Sequence, residues 1–206
     1  MNVDPLAALI QSLAKPAIHL GHRFIAEGDE EALMPGEADS FSDAAASVRR
    51  RSGAARIIAR VLLERLHHRG IPIPKAPSGA PIWPRGIVGS LAHDHTVAVA
   101  AVARAADISC LGIDIEPAEP LPDDLADFIS TPAERLRYSK NLLQGRHLFV
   151  VKEAVFKAVY PEDGIFLDYK HIEVHFERRE ARTSYGRRVT VELAAASHVI
   201  ALAYQR

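Results

Sequence analysis

The chain has 206 residues, 48% of them hydrophobic and 25% charged, with 25 Lys plus Arg balanced by 26 Asp plus Glu. This composition excludes a disordered, fibrous or membrane-spanning chain, since its apolar runs fall far short of the roughly 20 residues a bilayer span needs. The balanced charge excludes the broad electropositive surface of a non-specific nucleic-acid binder, so any phosphate recognition must be local. The length suits one compact unit or two small halves sharing a core. Asp4 and Pro5 near the start do not read as a secretory leader, and the chain is expected to stay in the cytoplasm. Cys110, the only cysteine, excludes an internal disulfide and a Cys-cluster zinc site, and is expected to be a buried small hydrophobe.

The spacing of Val48, Ala55, Ile58, Ala59, Leu62 and Leu66 predicts a long helix over 43–68, capped by Ser42 and followed by Gly70. Gly70 to Pro84 is a loop rich in proline. Three strands follow, near Ile87–Leu91, Thr96–Ala103 and Ile108–Glu116, and their short turns favour an antiparallel meander. After a connector, Thr131, Pro132 and Glu134 form a capping box that opens a short helix. A second long helix follows Gly145 and is expected to stop at Pro161. Alternation over His171–Glu177, then Arg188–Leu193 and His198–Tyr204, completes a second set of three strands. The expected class is α+β: helix, meander, connector, helix, meander, divided as 1–116 and 117–206, with a site in the shared cleft.

On the strand through Gly112-Ile113-Asp114-Ile115-Glu116, alternation puts Leu111, Ile113 and Ile115 on the core face and Gly112, Asp114 and Glu116 on the other. The two carboxylates, about 7 Å apart, suit Mg²⁺ or a solvated strand end. In the second long helix Leu148, Val151, Val155 and Val159 form the buried stripe, with Glu153 and Lys157 opposite as an i,i+4 pair. Lys152 lies about 40° from the centre of that stripe, where a lysine either snorkels or answers a buried anion. Arg49, Arg56 and Arg60 share a helical face, which makes either a phosphate-binding stripe or a solvated one, and Lys75 in the proline-rich loop adds a charge. His93 and His95 flank Asp94 between two strands, and a ligand-contacting His93 is preferred to a metal site.

Taken together these segments resemble the 4′-phosphopantetheinyl transferases, specifically the single-chain type that serves siderophore, polyketide and nonribosomal-peptide synthases. The resemblance runs from about Arg49 to Asp168 and rests on the arginine helix, Gly79-Ala80-Pro81-Ile82-Trp83-Pro84, Val88-Gly89-Ser90-Leu91-Ala92-His93, Gly112-Ile113-Asp114-Ile115-Glu116 and Lys152-Glu153-Ala154-Val155-Phe156-Lys157. Phe166-Leu167-Asp168-Tyr169 also looks like the family, whereas Ala92 stands where it usually has Ser or Thr. The resemblance implies a pseudodimer of two α+β halves, each a long helix on a three-stranded, mainly antiparallel sheet. It implies transfer of phosphopantetheine from coenzyme A to a serine of an apo acyl or peptidyl carrier protein, with release of adenosine 3′,5′-bisphosphate. Asp114, Glu116 and Glu153 are implied to hold Mg²⁺. Arg49, Arg56, Lys75 and His93 are implied to meet the nucleotide and its 3′-phosphate, and Lys152 the pyrophosphate. Glu153 is implied as the base and Lys157 as the donor to the leaving phosphate. The chain is expected to act as a monomer, to bind no nucleic acid, and to meet its carrier through Arg135, Arg137 and Lys140, with Arg146 just beyond. The competing classes are a non-catalytic coenzyme A binder of the same fold and a nucleic-acid-binding regulator.

Overall fold

The structure, a computed structural model, describes residues 4–138 and 143–206. Among the described residues six α-helices run in chain order: α1 (Pro5–Ser12), α2 (Pro35–Ala38), α3 (Ala46–Arg65), α4 (Asp123–Ile129), α5 (Pro132–Tyr138) and α6 (Gln144–Asp163). Eight strands accompany them: β1 (Ile18–Phe24), β2 (Ile87–His93), β3 (Val97–Arg104), β4 (Cys110–Pro117), β5 (Ile172–His175), β6 (Glu180–Thr183), β7 (Arg188–Ala195) and β8 (His198–Gln205). The class is α+β, with long helices packed on two antiparallel sheets, as expected. Among the described residues no helix is long and apolar enough to cross a membrane.

The sheets differ from the expected pair of three-stranded meanders. One has the order β1-β3-β2 and the other β4-β8-β7-β6-β5. The strand expected to close the first meander, β4, instead pairs with β8, setting Gly112 opposite Ala203 and Asp114 opposite Ala201. Its place in the first sheet is taken by β1, whose polar His19, His22 and Arg23 hide the strand pattern. Alternation explains the transfer of β4. Leu111, Ile113 and Ile115 enter a core formed with Val97, Val99 and Ala101 of β3 and with Leu6 and Leu9 of α1, while Cys110 joins the α6 core on the opposite face. A strand buried on both faces must be central to the molecule, and β4 is where the two sheets meet. The Ser90 hydroxyl of β2 accepts a hydrogen bond from the Ile113 N–H at 3.0 Å, a side-chain link where the backbone ladder is interrupted.

Helix limits shift as well. Helix α3 begins at Ala46 without a side-chain cap, because Ser42 closes a preceding 3-10 turn, and it ends at Arg65, with His67 left-handed at φ 68°. Helix α6 runs through Pro161 to Asp163 and ends on Gly164, which is left-handed at φ 64°. A proline in the last turn removes one backbone donor without cutting the helix short. The strand expected over His171–Glu177 ends at His175, which is buried rather than outward, and a 3-10 turn follows.

Each long helix is tied to the short helix before it by the same device. Glu37 of α2 is fully buried: Oε2 accepts the Met34 N–H at 2.8 Å, Oε1 accepts the Ile73 N–H at 2.7 Å, and Arg60 of α3 donates at 2.8 Å. Glu134 of α5, also fully buried, accepts the Thr131 N–H at 2.8 Å, the Val174 N–H at 2.8 Å and Lys152 Nζ of α6 at 2.7 Å. In both clasps the cation also reaches the carbonyl five residues before the glutamate, Ala32 from Arg60 and Ile129 from Lys152. These partners satisfy charges that would otherwise be costly to bury.

The contact that positions the site is at Gly112. A Cβ there would stand 1.9 Å from the Ala154 carbonyl oxygen and 2.7 Å from the Ala158 N of α6, both backbone atoms that cannot give way. Gly112→Ala is therefore expected to force α6 off β4 and destabilise the fold by about 1–3 kcal/mol or more, as overpacking does. Denaturant unfolding measures the loss, and wild-type stability in the variant would refute the close approach.

Candidate active site

The close approach of β4 and α6 brings Asp114 and Glu116 towards Glu153 and Lys157. Asp114 is 6% exposed, and Lys157 Nζ donates to its Oδ1 at 2.6 Å, while its buried Oδ2 has no hydrogen-bond partner. Burial pushes the Asp114 carboxyl up to about 6; Lys157 opposes the rise, and Glu153 and Glu116 add to it. Glu116 is also shifted up by burial, against the pull of Arg146, which donates to its Oε2 at 2.9 Å. Glu153 accepts the Tyr169 hydroxyl at 2.7 Å, and burial followed by this carboxylate pushes the phenol pKa up. The expected Glu153–Lys157 surface pair is thus replaced by two contacts across the site. Among the described residues, no group of three or more His, Cys, Asp or Glu side chains is arranged to hold a metal ion. Each of the three carboxylates instead has its own partner in the chain.

A cavity of about 310 Å³ opens beside this cluster, lined by Lys75, Trp83, Ser90, Glu153, Lys157 and Tyr160 among others. A second, of about 300 Å³, is lined by Phe41, Ser52, Arg56, Lys75, His93 and Lys157 among others. Arg56 is fixed in the second by bonds from Nε to the Ile73 carbonyl at 2.9 Å and from Nη1 to the Ser52 carbonyl at 3.2 Å. Its guanidinium lies 4.9 Å from the centre of the Phe41 ring, and Lys75 Nζ lies 5.5 Å from the same centre, so one aromatic ring supports two cations. Burial, then Arg51 and Lys157, push His93 below its ordinary pKa, and its buried Nδ1 has no partner. His93 is therefore a neutral hydrogen-bonding group at pH 7. Asp94 Oδ1 accepts the Thr96 N–H at 2.6 Å and the Val97 N–H at 2.7 Å, holding the turn that carries His93.

Three expectations are corrected by this geometry. Lys152 cannot meet a pyrophosphate: it is 0% exposed, and Nζ donates to Ile129 O at 2.8 Å, Glu134 at 2.7 Å and Tyr169 O at 2.9 Å, which uses all three donors. Arg49 donates to the Ala44 carbonyl at 3.0 Å and lines neither cavity, and Arg60 is spent on Glu37, so the arginine stripe contributes only Arg56. Arg135 and Arg137 keep much of their side chains exposed while also holding contacts within the chain. Arg135 donates to the Asp127 carbonyl at 3.0 Å, and Arg137 lies 3.0 Å from His175 Nδ1 and 3.3 Å from Glu173. Lys140 lies outside the described residues. Finally, Arg146 belongs to Glu116 rather than to a docking face. Its role could have been found from the sequence, because Arg146, Glu153 and Lys157 are seven and four residues apart, steps that nearly close whole turns. Tyr169, though part of the family-like run Phe166-Leu167-Asp168-Tyr169, and Phe41 had no such spacing signal, since short 3-10 turns bring them to the site.

Comparison with known proteins finds two successive matches along the chain. The family profile described as "4'-phosphopantetheinyl transferase N-terminal domain" matches residues 36–103, and that of the "4'-phosphopantetheinyl transferase superfamily" matches residues 110–203. The 4'-phosphopantetheinyl transferase Svp of Streptomyces mobaraensis is 38% identical over 177 residues, covering 82% of this chain and 70% of that protein. The transferase Npt of Nocardia iowensis is 38% identical over 135 residues, covering 64% and 61% of the two chains. PptT of Mycobacterium tuberculosis is 35% identical over 148 residues, covering 70% of this chain and 65% of its own length. The matches take in the β2–β3 pair, the β4–β8 sheet and both long helices, including the β4 carboxylates and the Lys152–Lys157 face of α6, and on that ground the chain belongs to the 4′-phosphopantetheinyl transferase superfamily.

Proposed function

We propose that the protein transfers the 4′-phosphopantetheine group from coenzyme A to a serine hydroxyl of an apo acyl or peptidyl carrier protein, in an Mg²⁺-dependent reaction that releases adenosine 3′,5′-bisphosphate. The observation that carries this reading is the meeting of Asp114 and Glu116 with Glu153 and Lys157 beside a cavity lined by Arg56, Lys75 and His93. The reading treats the chain as a pseudodimer, 1–116 and 117–206, acting as one cytoplasmic monomer, and the repeated Glu37 and Glu134 clasps support that duplication.

The chemistry of the donors suits a hard divalent cation, although the three carboxylates are not grouped around one point in this structure. Asp114 Oδ2 is buried without a partner, and burial first, then Glu153 and Glu116, push the Asp114 carboxyl up, a strain that a cation relieves. Asp114, Glu116 and Glu153 would hold Mg²⁺, which when bound supplies neutralisation of charge at the coenzyme A pyrophosphate. Arg56 and Lys75 face the nucleotide phosphates, and neutral His93 offers a hydrogen bond. Glu153 takes the proton from the carrier serine as its oxygen forms the new bond to phosphorus. The bond from that phosphorus to the nucleotide's bridging oxygen breaks, and Lys157 donates to the departing phosphate.

The decisive experiment mixes the protein with coenzyme A, Mg²⁺ and a panel of apo carrier proteins, and looks by mass spectrometry for a phosphopantetheine-sized addition. Binding of coenzyme A with no addition on any carrier would favour a non-catalytic binder. A second expectation follows from the shared site: coenzyme A should raise the thermal midpoint more with Mg²⁺ than without it, because each completes the coordination of the other. Equal shifts would contradict a joint site.

A further inference from the structure

The two glutamate clasps are not equivalent. Among the described residues Arg60 reaches Glu37 and the Ala32 carbonyl, whereas Lys152 has a third acceptor, the Tyr169 carbonyl at 2.9 Å. Tyr169 opens the 3-10 turn Tyr169–His171, and its ring packs against Phe128 of α4 and Phe149 of α6, with centroids 5.9 Å and 5.8 Å away. Its hydroxyl ends on Glu153 Oε1 at 2.7 Å. One continuous chain of contacts therefore runs from the fully buried Glu134, through Lys152 and the Tyr169 backbone, to the carboxylate at the centre of the site.

From this chain of contacts we infer that Tyr169 is a positioning residue of the transfer reaction, anchored by Lys152 and Glu134, and that it sets the orientation in which Glu153 meets both the divalent cation and the carrier serine. Occupying Oε1 leaves the other oxygen of Glu153 for the cation. Clamping the ring between two aromatic side chains restricts the carboxylate to one rotamer. The buried lysine thus acts on the chemistry through a neighbour, without touching substrate. This inference rests on the proposed transferase reading and is tested so that the two can fail separately.

Tyr169→Phe removes only the hydroxyl, keeping the ring contacts and the backbone acceptor for Lys152. Loss of such outer partners typically costs 10- to 100-fold. The expected result is a fall in kcat of about that size, with KM for coenzyme A within about twofold and the thermal midpoint nearly unchanged, a split that a merely structural residue would not produce. In parallel, free Mn²⁺ is followed by electron paramagnetic resonance as protein is added in the presence of coenzyme A. The variant should bind Mn²⁺ roughly 10-fold more weakly than the wild type. A kcat within twofold of wild type, an unchanged Mn²⁺ affinity, or a wild type that withdraws no Mn²⁺ from solution would each overturn the inference. If the wild type transfers nothing to any carrier, the transferase reading falls and the Mn²⁺ comparison alone decides the role of Tyr169.

Discussion

Asp114→Ala should lower phosphopantetheine transfer by at least about 100- to 1000-fold while leaving the fold intact, the scale on which removal of a preorganised electrostatic group acts. The side chain is buried, but its one ion-pair partner, Lys157, is partly exposed and can turn to solvent when the carboxylate is gone. The same residue carries a stability cost. Its pKa is raised by burial from 3.8 to about 6, so between those values the folded protein binds a proton more tightly than the unfolded chain. Stability from this group is full below the unfolded value and is lost as pH rises through the folded one, amounting to about 3 kcal/mol above pH 6. Metal-free Asp114→Asn should therefore gain on the wild type as pH rises from 4 to 6 and hold that advantage above it, while losing activity. Thermal unfolding across that range measures the effect. Full Mg²⁺-dependent activity in Asp114→Ala would remove the residue from the site, and a pH-independent stability difference would remove the burial argument.

Lys152→Met should be the most destabilising single change at the site. It leaves Glu134 fully buried with its two backbone donors but no cation, a situation that costs about 3–5 kcal/mol. For a chain of this length the thermal midpoint should fall by on the order of 10 °C. The lysine joins the end of α4, the start of α5 and the Tyr169 turn, so the loss should spread over all three. Replacing both charges, as Lys152→Met with Glu134→Leu, should cost less than the sum of the single changes, because neither charge is then left uncompensated. Additive losses in the double variant would show that the pair does not couple. The comparison also separates the two roles of the residue: a direct phosphate contact would raise KM for coenzyme A in stable variants, whereas the clasp predicts loss of fold first.

Local sequence alone determined the elements with strong periodicity and their caps. The buried stripe of α6, the alternation of β4 and the capping box of Thr131 with Glu134 all formed as expected, because each depends on neighbours within one or two turns or along a single strand. The same local rules placed Asp114 and Glu116 on one face and Glu153 and Lys157 on one helix. Only the tertiary structure decided which sheet received β4, since the alternation along a strand reads identically whichever neighbour it joins. It also assigned the charged partners. Lys157 to Asp114, Arg146 to Glu116 and Lys152 to Glu134 are separated by 43, 30 and 18 residues, beyond the reach of any helical or strand period. Strand β1 was hidden because an edge strand of histidine, glycine and arginine lacks the apolar alternation that burial on one full face would impose. Lys152 shows the difference most directly. Its position near an apolar stripe required either an escape to solvent or a buried anion, and only the fold, by bringing the buried Glu134 to meet it, could choose between them.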